Sequence, residues 1–509
     1  PVGSYRTTTD GVWSSAAANN TITWQELKST GWETMALPSS TYPSTTTTNK
    51  VYIFNNVTLN GTNSAKNIIV ESTGTLSTST VTPTFKNLLI KTGGVFNKNP
   101  GNGLKFDTDG ILEVENGGTF NYSHTNATSR STNLWAGTEK FHPKSNFVVK
   151  ETDNSVGSGN QIVESASDVS LFNGAMFGNF IVDMGTGGGK VPLFVSGLNT
   201  KLTNGDFILR TGSDNGMIFN NGNYTVTIGG DLIVESTYIQ PFTLTNSAST
   251  VNFTVNGDVV HNGTAEFRLA NSQTTNNPSV TLNIDSNLVI GSSNFNFDIG
   301  SSSTGTNKSI VNLKGDLTVG SGNILTQNTS AAKKGEFNFT GTYSDADVTT
   351  IQTVDVASTG ATTENARIDF NVKSGAYTQL INRDFELGTN SKLTVETGSI
   401  FDFGFNGTTA LNVGIANSML GTAFESKQNA TLKISSPDGL YGNWNTTVFP
   451  SVTQAIGNLR LPKSNRTIDN EATFWYIGKV NQQTGDAPNA NNTAGTYSTT
   501  ANGKVVICD

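Results

Sequence analysis

Asn204-Gly205-Asp206-Phe207-Ile208-Leu209, Gly229-Gly230-Asp231-Leu232-Ile233-Val234, Asn256-Gly257-Asp258-Val259-Val260, Asp285-Ser286-Asn287-Leu288-Val289-Ile290 and Lys314-Gly315-Asp316-Leu317-Thr318-Val319 are one phrase, repeated. Its Asp/Asn position advances by 25, 27, 29 and 29 residues (206, 231, 258, 287, 316). A period in the twenties belongs to a coil of stacked strand–turn units, each contacting only its neighbours. The predicted fold is therefore all-β: a β-helix or solenoid with irregular coils of roughly 20–29 residues.

Composition supports this outward from the phrase. Charged residues make up 14% of the 509-residue chain, where about 25% is usual for soluble globular proteins. Thr, Ser, Asn and Gly (53 of the last) take their place, a mixture suited to short strands and tight turns. No stretch shows the 3.6-residue apolar period of a helix.

The net charge of −8 and the pI near 5.1 argue against a nucleic-acid partner, which requires a basic stripe. No run approaches the ~18 consecutive apolar residues of a membrane-spanning helix. A single cysteine, Cys508, excludes an internal disulfide. Triplets such as Asn56-Val57-Thr58 are expected by chance in so Asn- and Thr-rich a chain and carry little weight as glycosylation signals.

Residues 1–50 hold three of the six tryptophans, Trp13, Trp24 and Trp32, and read as an N-terminal cap packed over the open end of a stack. The solenoid is expected over 51–420. Lys66-Asn67-Ile68-Ile69-Val70-Glu71-Ser72-Thr73-Gly74-Thr75-Leu76 is echoed by Lys86-Asn87-Leu88-Leu89-Ile90-Lys91-Thr92-Gly93-Gly94-Val95-Phe96, and again from Gly110 to Phe120. Each unit is strand, Gly-centred turn, strand. At about 25 residues per coil and 4.8 Å per turn, this region predicts about fifteen coils and a rod roughly 70 Å long. Insertions are expected near 121–145 and 343–365, and a looser β region over 421–509. The chain is expected to continue past Asp509, where a strand phrase stops short.

Several phrases resemble those of large secreted Bacteroidota surface proteins exported by the type IX secretion system. They are Asp10-Gly11-Val12-Trp13-Ser14-Ser15 with Trp24, Gly31-Trp32, Pro38 and Val51-Tyr52-Ile53; the unit from Asn67 to Leu76; Leu134-Trp135-Ala136-Gly137-Thr138-Glu139; Phe177-Gly178-Asn179-Phe180-Ile181-Val182-Asp183; and Tyr476-Ile477-Gly478 with Asn481-Gln482-Gln483-Thr484-Gly485-Asp486. The likeness is scattered over nearly the whole chain, and the family's C-terminal sorting domain is absent. It implies a secreted or cell-surface setting and adhesion or filament building, with cell-surface glycans, other cells or further copies of the chain as partners. It carries over no functional residues.

The chemistry-bearing residues are few. The turn residues Asp206, Asp231, Asp258 and Asp316 could form a row of calcium ligands, but Asn287 in the same position favours a backbone-capping role within the turn. Asp107-Thr108-Asp109-Gly110 resembles the opening of a calcium loop, making Asp107 and Asp109 the candidate metal ligands; Gly118 stands where an EF-hand needs a bidentate Glu. His124, His142 and His261 lack metal-ligand spacing. In the 121–145 insertion, Tyr122, Trp135 and His142 form a candidate binding site. Tyr122, Trp135 and Phe141 can stack on sugar rings or simply pin the loop to the coil.

No nucleophile elbow, phosphate loop or dinucleotide motif is present, and no catalytic residues are assigned. Asp369, Asp384 and Glu386 are carboxylates of the sort a glycosidase uses, so a β-helical polysaccharide lyase or glycoside hydrolase is the alternative to a structural or adhesive rod.

Overall fold

A computed structural model describes residues 2–14, 19–35, 43, 50–60, 66–79, 83–99, 104–124, 138–152, 175–183, 191–192, 199–211, 217–218, 223–237, 241–245, 249–270, 278–298, 308–326, 335–344, 350–356, 368–388, 390–415, 423–440, 457–461, 465–469, 471–480, 482 and 505–507. The chain is almost entirely β, with long parallel sheets of many strands, as a solenoid requires. It divides into two compact units, residues 1–220 with 225–240 and residues 221–224 with 241–509.

In the first unit, strands alternate between a lead face and a second face. Lys50–Ile53, Asn67–Val70, Thr84–Ile90, Lys105–Val114 and Thr138–Phe141 pair in parallel on the lead face. On the second face, Asn56–Asn60, Thr75–Thr78, Val95–Lys98, Thr119–His124, Asn146–Thr152, Asn179–Asp183 and Phe207–Thr211 do the same. From Ala175–Phe177 onward a new sheet, continued by Asn199–Thr203, takes over the lead position.

The cap is built on the first coil. Tyr5–Thr7 and Gly11–Ser14 pair in parallel with Lys50–Ile53 and Asn56–Asn60, so the coil register begins at Tyr5, well before Val51. Trp24–Lys28 and Gly31–Thr34 then run antiparallel along the edge of Tyr5–Thr7. Trp13 and Trp24, both fully buried, meet edge to face at 5.1 Å under this hairpin. Trp32 lies on the outside, against Tyr52 and under the Arg6 guanidinium.

In the second unit the lead face contains Thr250–Val255, Ser279–Ile284, Ser309–Leu313, Gly335–Phe339, Ile368–Val372, Lys392–Val395, Ala423–Ser426 and Arg466–Ile468. The second face includes Val259–His261, Leu288–Ile290, Leu317–Val319, Gln352–Val356, Tyr377–Leu380, Ile400–Asp402, Thr431–Ile434, Thr473–Tyr476 and Val505–Ile507. Phe242–Thr245, Phe267–Ala270, Phe295–Asp298 and Ile324–Leu325 supply a third face. The 421–509 region thus continues the sheets wherever it is described.

Two turn designs join lead to second face. The Gly-centred units close with a bond three residues along the chain, as in Gly94 N–H to Lys91 C=O (2.8 Å) and Gly118 N–H to Glu115 C=O (2.9 Å). Their third residues, Gly93 and Gly117, hold φ of +82° and +76°, which explains the Thr-Gly and Asn-Gly signature. The Gly-Asp phrase works differently. The acceptor role expected of its Asp and Asn holds, but the donor is not in the same turn. Asn179 Oδ1 accepts from Asp206 N–H and Asp206 Oδ1 from Asp231 N–H, both at 2.9 Å. In the second unit Asp258 accepts from Asn287 N–H, Asn287 from Asp316 N–H and Asp316 from Thr353 N–H, at 2.9, 2.8 and 2.7 Å. The same device opens the chain, where Asp10 Oδ1 accepts from Asn56 N–H at 2.8 Å. Each side chain reaches forward to the next coil.

Amide ladders run parallel to these on the outward surfaces. Asn283, Asn312, Asn338 and Asn371 stand opposite one another on successive lead strands, each later asparagine passing an Nδ2–H to the Oδ1 before it at 2.8–2.9 Å, and Asn283 reaches diagonally to Asn252 Oδ1 at 3.0 Å. Inside, Phe96, Phe120, Phe147, Phe180 and Phe207 occupy one register position on five successive second-face strands. All five are fully buried, with ring centroids 5.2–5.7 Å apart.

Parallel stacking at one residue per coil makes every core vacancy expensive, because the coils above and below are held by their own strands and cannot close around it. Phe147→Ala is expected to lower stability by about 3–5 kcal/mol in chemical denaturation. Asp316→Asn keeps the acceptor and should be near neutral, whereas Asp316→Ala leaves the Thr353 N–H without its partner and should cost about 1–3 kcal/mol.

Candidate functional site

Strand alternation puts every second residue of the second face outward, and the parallel register sets equivalent outward residues side by side. On four consecutive strands of the second unit this row reads Gln379, Asp402, Lys433, Trp475. It sets aromatic and charged side chains side by side without a direct ion pair.

Asp402 lies at its centre and is 2% exposed. Its Oδ2 accepts from the Tyr377 hydroxyl (2.7 Å) and Gln379 Nε2 (2.9 Å), and its Oδ1 from Gly404 N–H (2.8 Å). Burial pushes the Asp402 carboxyl up, while these bonds and the Lys433 charge pull it back. Burial, with the Asp402 charge beside it, pushes the Tyr377 phenol up as well. Gly404 has φ of +60°, and a Cβ there would stand 2.0 Å from the Leu380 carbonyl oxygen, so the close approach admits only glycine.

Lys433 Nζ donates to the Tyr377 hydroxyl oxygen at 2.7 Å and sits 4.4 Å from the Tyr377 ring centre and 4.9 Å from that of Trp475. Tyr343 packs edge-on against Tyr377 at 4.9 Å. Beyond Asp402 the chain makes a small antiparallel hairpin, Phe405–Asn406 with Thr409–Ala410. Lys479 lies over the Phe405 ring (4.8 Å) and donates to the Gly407 carbonyl (2.7 Å). Gln482 anchors the turn that carries Lys479, accepting from Gly478 N–H and donating to the Ile434 and Ser436 carbonyls.

The phenolic proton of Tyr377 is committed to Asp402, and the carboxylate is enclosed and saturated with donors. A general base needs a free lone pair within reach of substrate, which neither group offers. What the row presents is a fixed ammonium between the buried Tyr377 ring and the partly buried Trp475 indole, an arrangement suited to binding.

The sequence-predicted residues fall elsewhere. Tyr122 lies in Thr119–His124, stacked on Phe147 at 6.1 Å with the Lys98 ammonium 5.7 Å from its ring. Burial pushes its phenol up. Phe141 is fully buried in the core. His142 Nε2 and Glu113 Oε1 are 2.9 Å apart on the lead side. Trp135 lies outside the described residues, as do all of 125–137; of the expected insertion, 121–124 and 138–141 belong to strands. The structure brings Tyr122 and His142 to different faces of one coil.

Asp109 is exposed and ion-paired with Lys86 (2.9 Å), which holds its carboxyl below the usual range. Asp107 occupies the same irregular stretch of Lys105–Val114. Among the described residues no three His, Cys, Asp or Glu side chains converge to hold a metal ion. Of the three candidate carboxylates, Asp369 stands on the lead face opposite Lys392, apart from Asp384 and Glu386, which share one side of a short strand. Asp384 Oδ1 accepts from Asn412 N–H and Nδ2, and burial with the Asp384 charge pushes Glu386 up.

The chain matches no family model, no curated protein and no solved structure. No helix among the described residues is long and apolar enough to cross a membrane.

His261 is the most deeply buried titratable imidazole described. Its Nδ1 bonds Ser293 Oγ (2.8 Å), its Nε2 has no partner, and its ring stacks on Phe267. Burial pushes it down to about 4. An unfolded histidine titrates near 6.5, so the unfolded chain takes up the proton first as pH falls. Full stability is therefore present above about pH 6.5 and is lost progressively down to about pH 4, by up to roughly 3 kcal/mol. Denaturation of His261→Leu over the same range should lack this component.

Proposed function

We propose that the chain is a structural or adhesive protein of the cell exterior, a β-solenoid scaffold that mediates attachment or assembly into surface filaments. One observation carries this reading: the outward polar side chains are consumed in coil-to-coil ladders. The asparagine row from Asn252 to Asn371 and the Asp/Asn turn row link neighbouring coils side chain to side chain and side chain to backbone. Such a surface resists local opening and offers repeated, similar faces, so attachment gains from many weak contacts. The type IX-like phrases support the same setting, since the unit from Asn67 to Leu76 is one strand–turn–strand step of the coil.

The test is incubation of the full chain with surfaces and soluble panels of acidic and neutral polysaccharides. Retention on a glycan-coated surface or formation of oligomers, with polysaccharide length unchanged, is the expected outcome. Accumulation of shorter products would replace this reading with that of a lyase or hydrolase.

A further inference from the structure

We propose that the ledge formed by Tyr377, Lys433, Trp475 and Lys479 binds an anionic sugar, a uronic-acid residue within an acidic polysaccharide. This deepens the adhesive reading by assigning it a site and a ligand class.

The argument begins with charge. Lys150, Lys308, Lys314, Lys373, Lys392 and Lys427 each contact a carboxylate. Lys433 and Lys479 have no carboxylate within ion-pair distance among the described residues. Their contacts are aromatic rings, a hydroxyl and a backbone carbonyl. On a chain of net charge −8, neither ammonium is held in a direct ion pair. Asp402 attracts Lys433 only across the Tyr377 hydroxyl, because its own oxygens are taken by Tyr377, Gln379 and Gly404.

Preorganisation is the second element. The Asp402–Tyr377–Lys433 chain of hydrogen bonds holds the ammonium in place, and the Gln482 clamp fixes the turn bearing Lys479. Little side-chain entropy remains to be lost on binding.

Shape chooses the ligand class. A partly buried indole offers an apolar face to the C–H side of a pyranose, and an adjacent fixed ammonium is placed to receive a carboxylate at the ring's edge. A uronate carries both features on one residue. Because the strands are parallel, the ledge runs across coils, so a polysaccharide can contact Trp475 and Lys433 with one sugar and Lys479 with a neighbour.

Binding of the full chain to oligogalacturonate, measured by calorimetry, is compared with binding to the same oligosaccharide after reduction of its carboxyl groups. The expected result is binding of the acidic form that weakens with salt, with about tenfold or greater loss on carboxyl reduction. Lys433→Met and Trp475→Ala should each weaken binding about tenfold, Lys433→Arg should restore most of it, and Trp475→Phe should be intermediate. Lys479→Met alters a surface contact with Phe405 and Gly407 only, so it tests the site without threatening the fold.

Equal binding of the native and reduced sugars, no binding at about 1 mM, or wild-type affinity in folded Lys433→Met and Lys479→Met overturns the assignment. Retention of the wild-type protein on glycan surfaces in that event leaves the adhesive reading standing, whereas loss of both removes it.

Discussion

The hydrogen bond between equivalent positions of successive coils is the interaction on which the rest depends. Backbone pairing in parallel sheets stacks the coils, but pairing alone leaves the polar groups at each turn and on each outward face to water. The Asp/Asn carbonyl oxygens at the turns capture the next coil's N–H, and the asparagine amides bridge the outward faces. Each such bond contributes modestly, about 0.5–1.5 kcal/mol, but it recurs along the stack, and both partners are already ordered by the sheet. Phenylalanines repeat inside for the same reason: one register position per coil must be filled to interior density, and an aromatic ring stacks on its own kind.

The candidate site arises where this economy of pairing lapses. At Tyr377, Asp402, Lys433 and Trp475 the register continues without interruption, yet the outward row no longer repeats one residue type. A carboxylate has been drawn under a phenol, and the ammonium that would have paired with it has been displaced onto two rings. The hairpin Phe405–Asn406 with Thr409–Ala410 then brings a second ring beneath a second lysine. The scaffold supplies rigid spacing, and its departure from uniformity supplies the chemistry.

Fold and site were unequally legible in the sequence. The Gly-Asp phrase and the Thr-Gly turns reveal the coil because turn geometry is local, requiring a glycine at positive φ or a short acceptor at a fixed place. Their bonding partners were not legible: nothing local distinguishes an Asp that caps its own turn from one that reaches the next coil. The first coil was hidden as well, since the long excursion between Gly11–Ser14 and Lys50–Ile53 masks the pairing of Tyr5–Thr7 with the latter. The ledge was least legible of all. Gln379, Asp402, Lys433 and Trp475 are separated by 23, 31 and 42 residues, and only the three-dimensional register makes them neighbours. Tyr122 and His142, near in sequence, stand with strands that pair on different faces.

The forward-reaching ladders also have a direction. Asp10 accepts from Asn56, Asn179 from Asp206, Asp258 from Asn287, and in the amide rows the later asparagine donates to the earlier one. In these ladders a finished coil presents side-chain acceptors toward the next coil, beside the backbone donors and acceptors of its parallel strands. A polypeptide emerging N-terminus first, from a ribosome or through a narrow channel, can lay down each coil on a surface that already specifies its register. Assembly from the opposite end would begin with donors whose acceptors had not yet appeared. Within each unit the bond polarity thus gives the ladders a vector in time as well as in space.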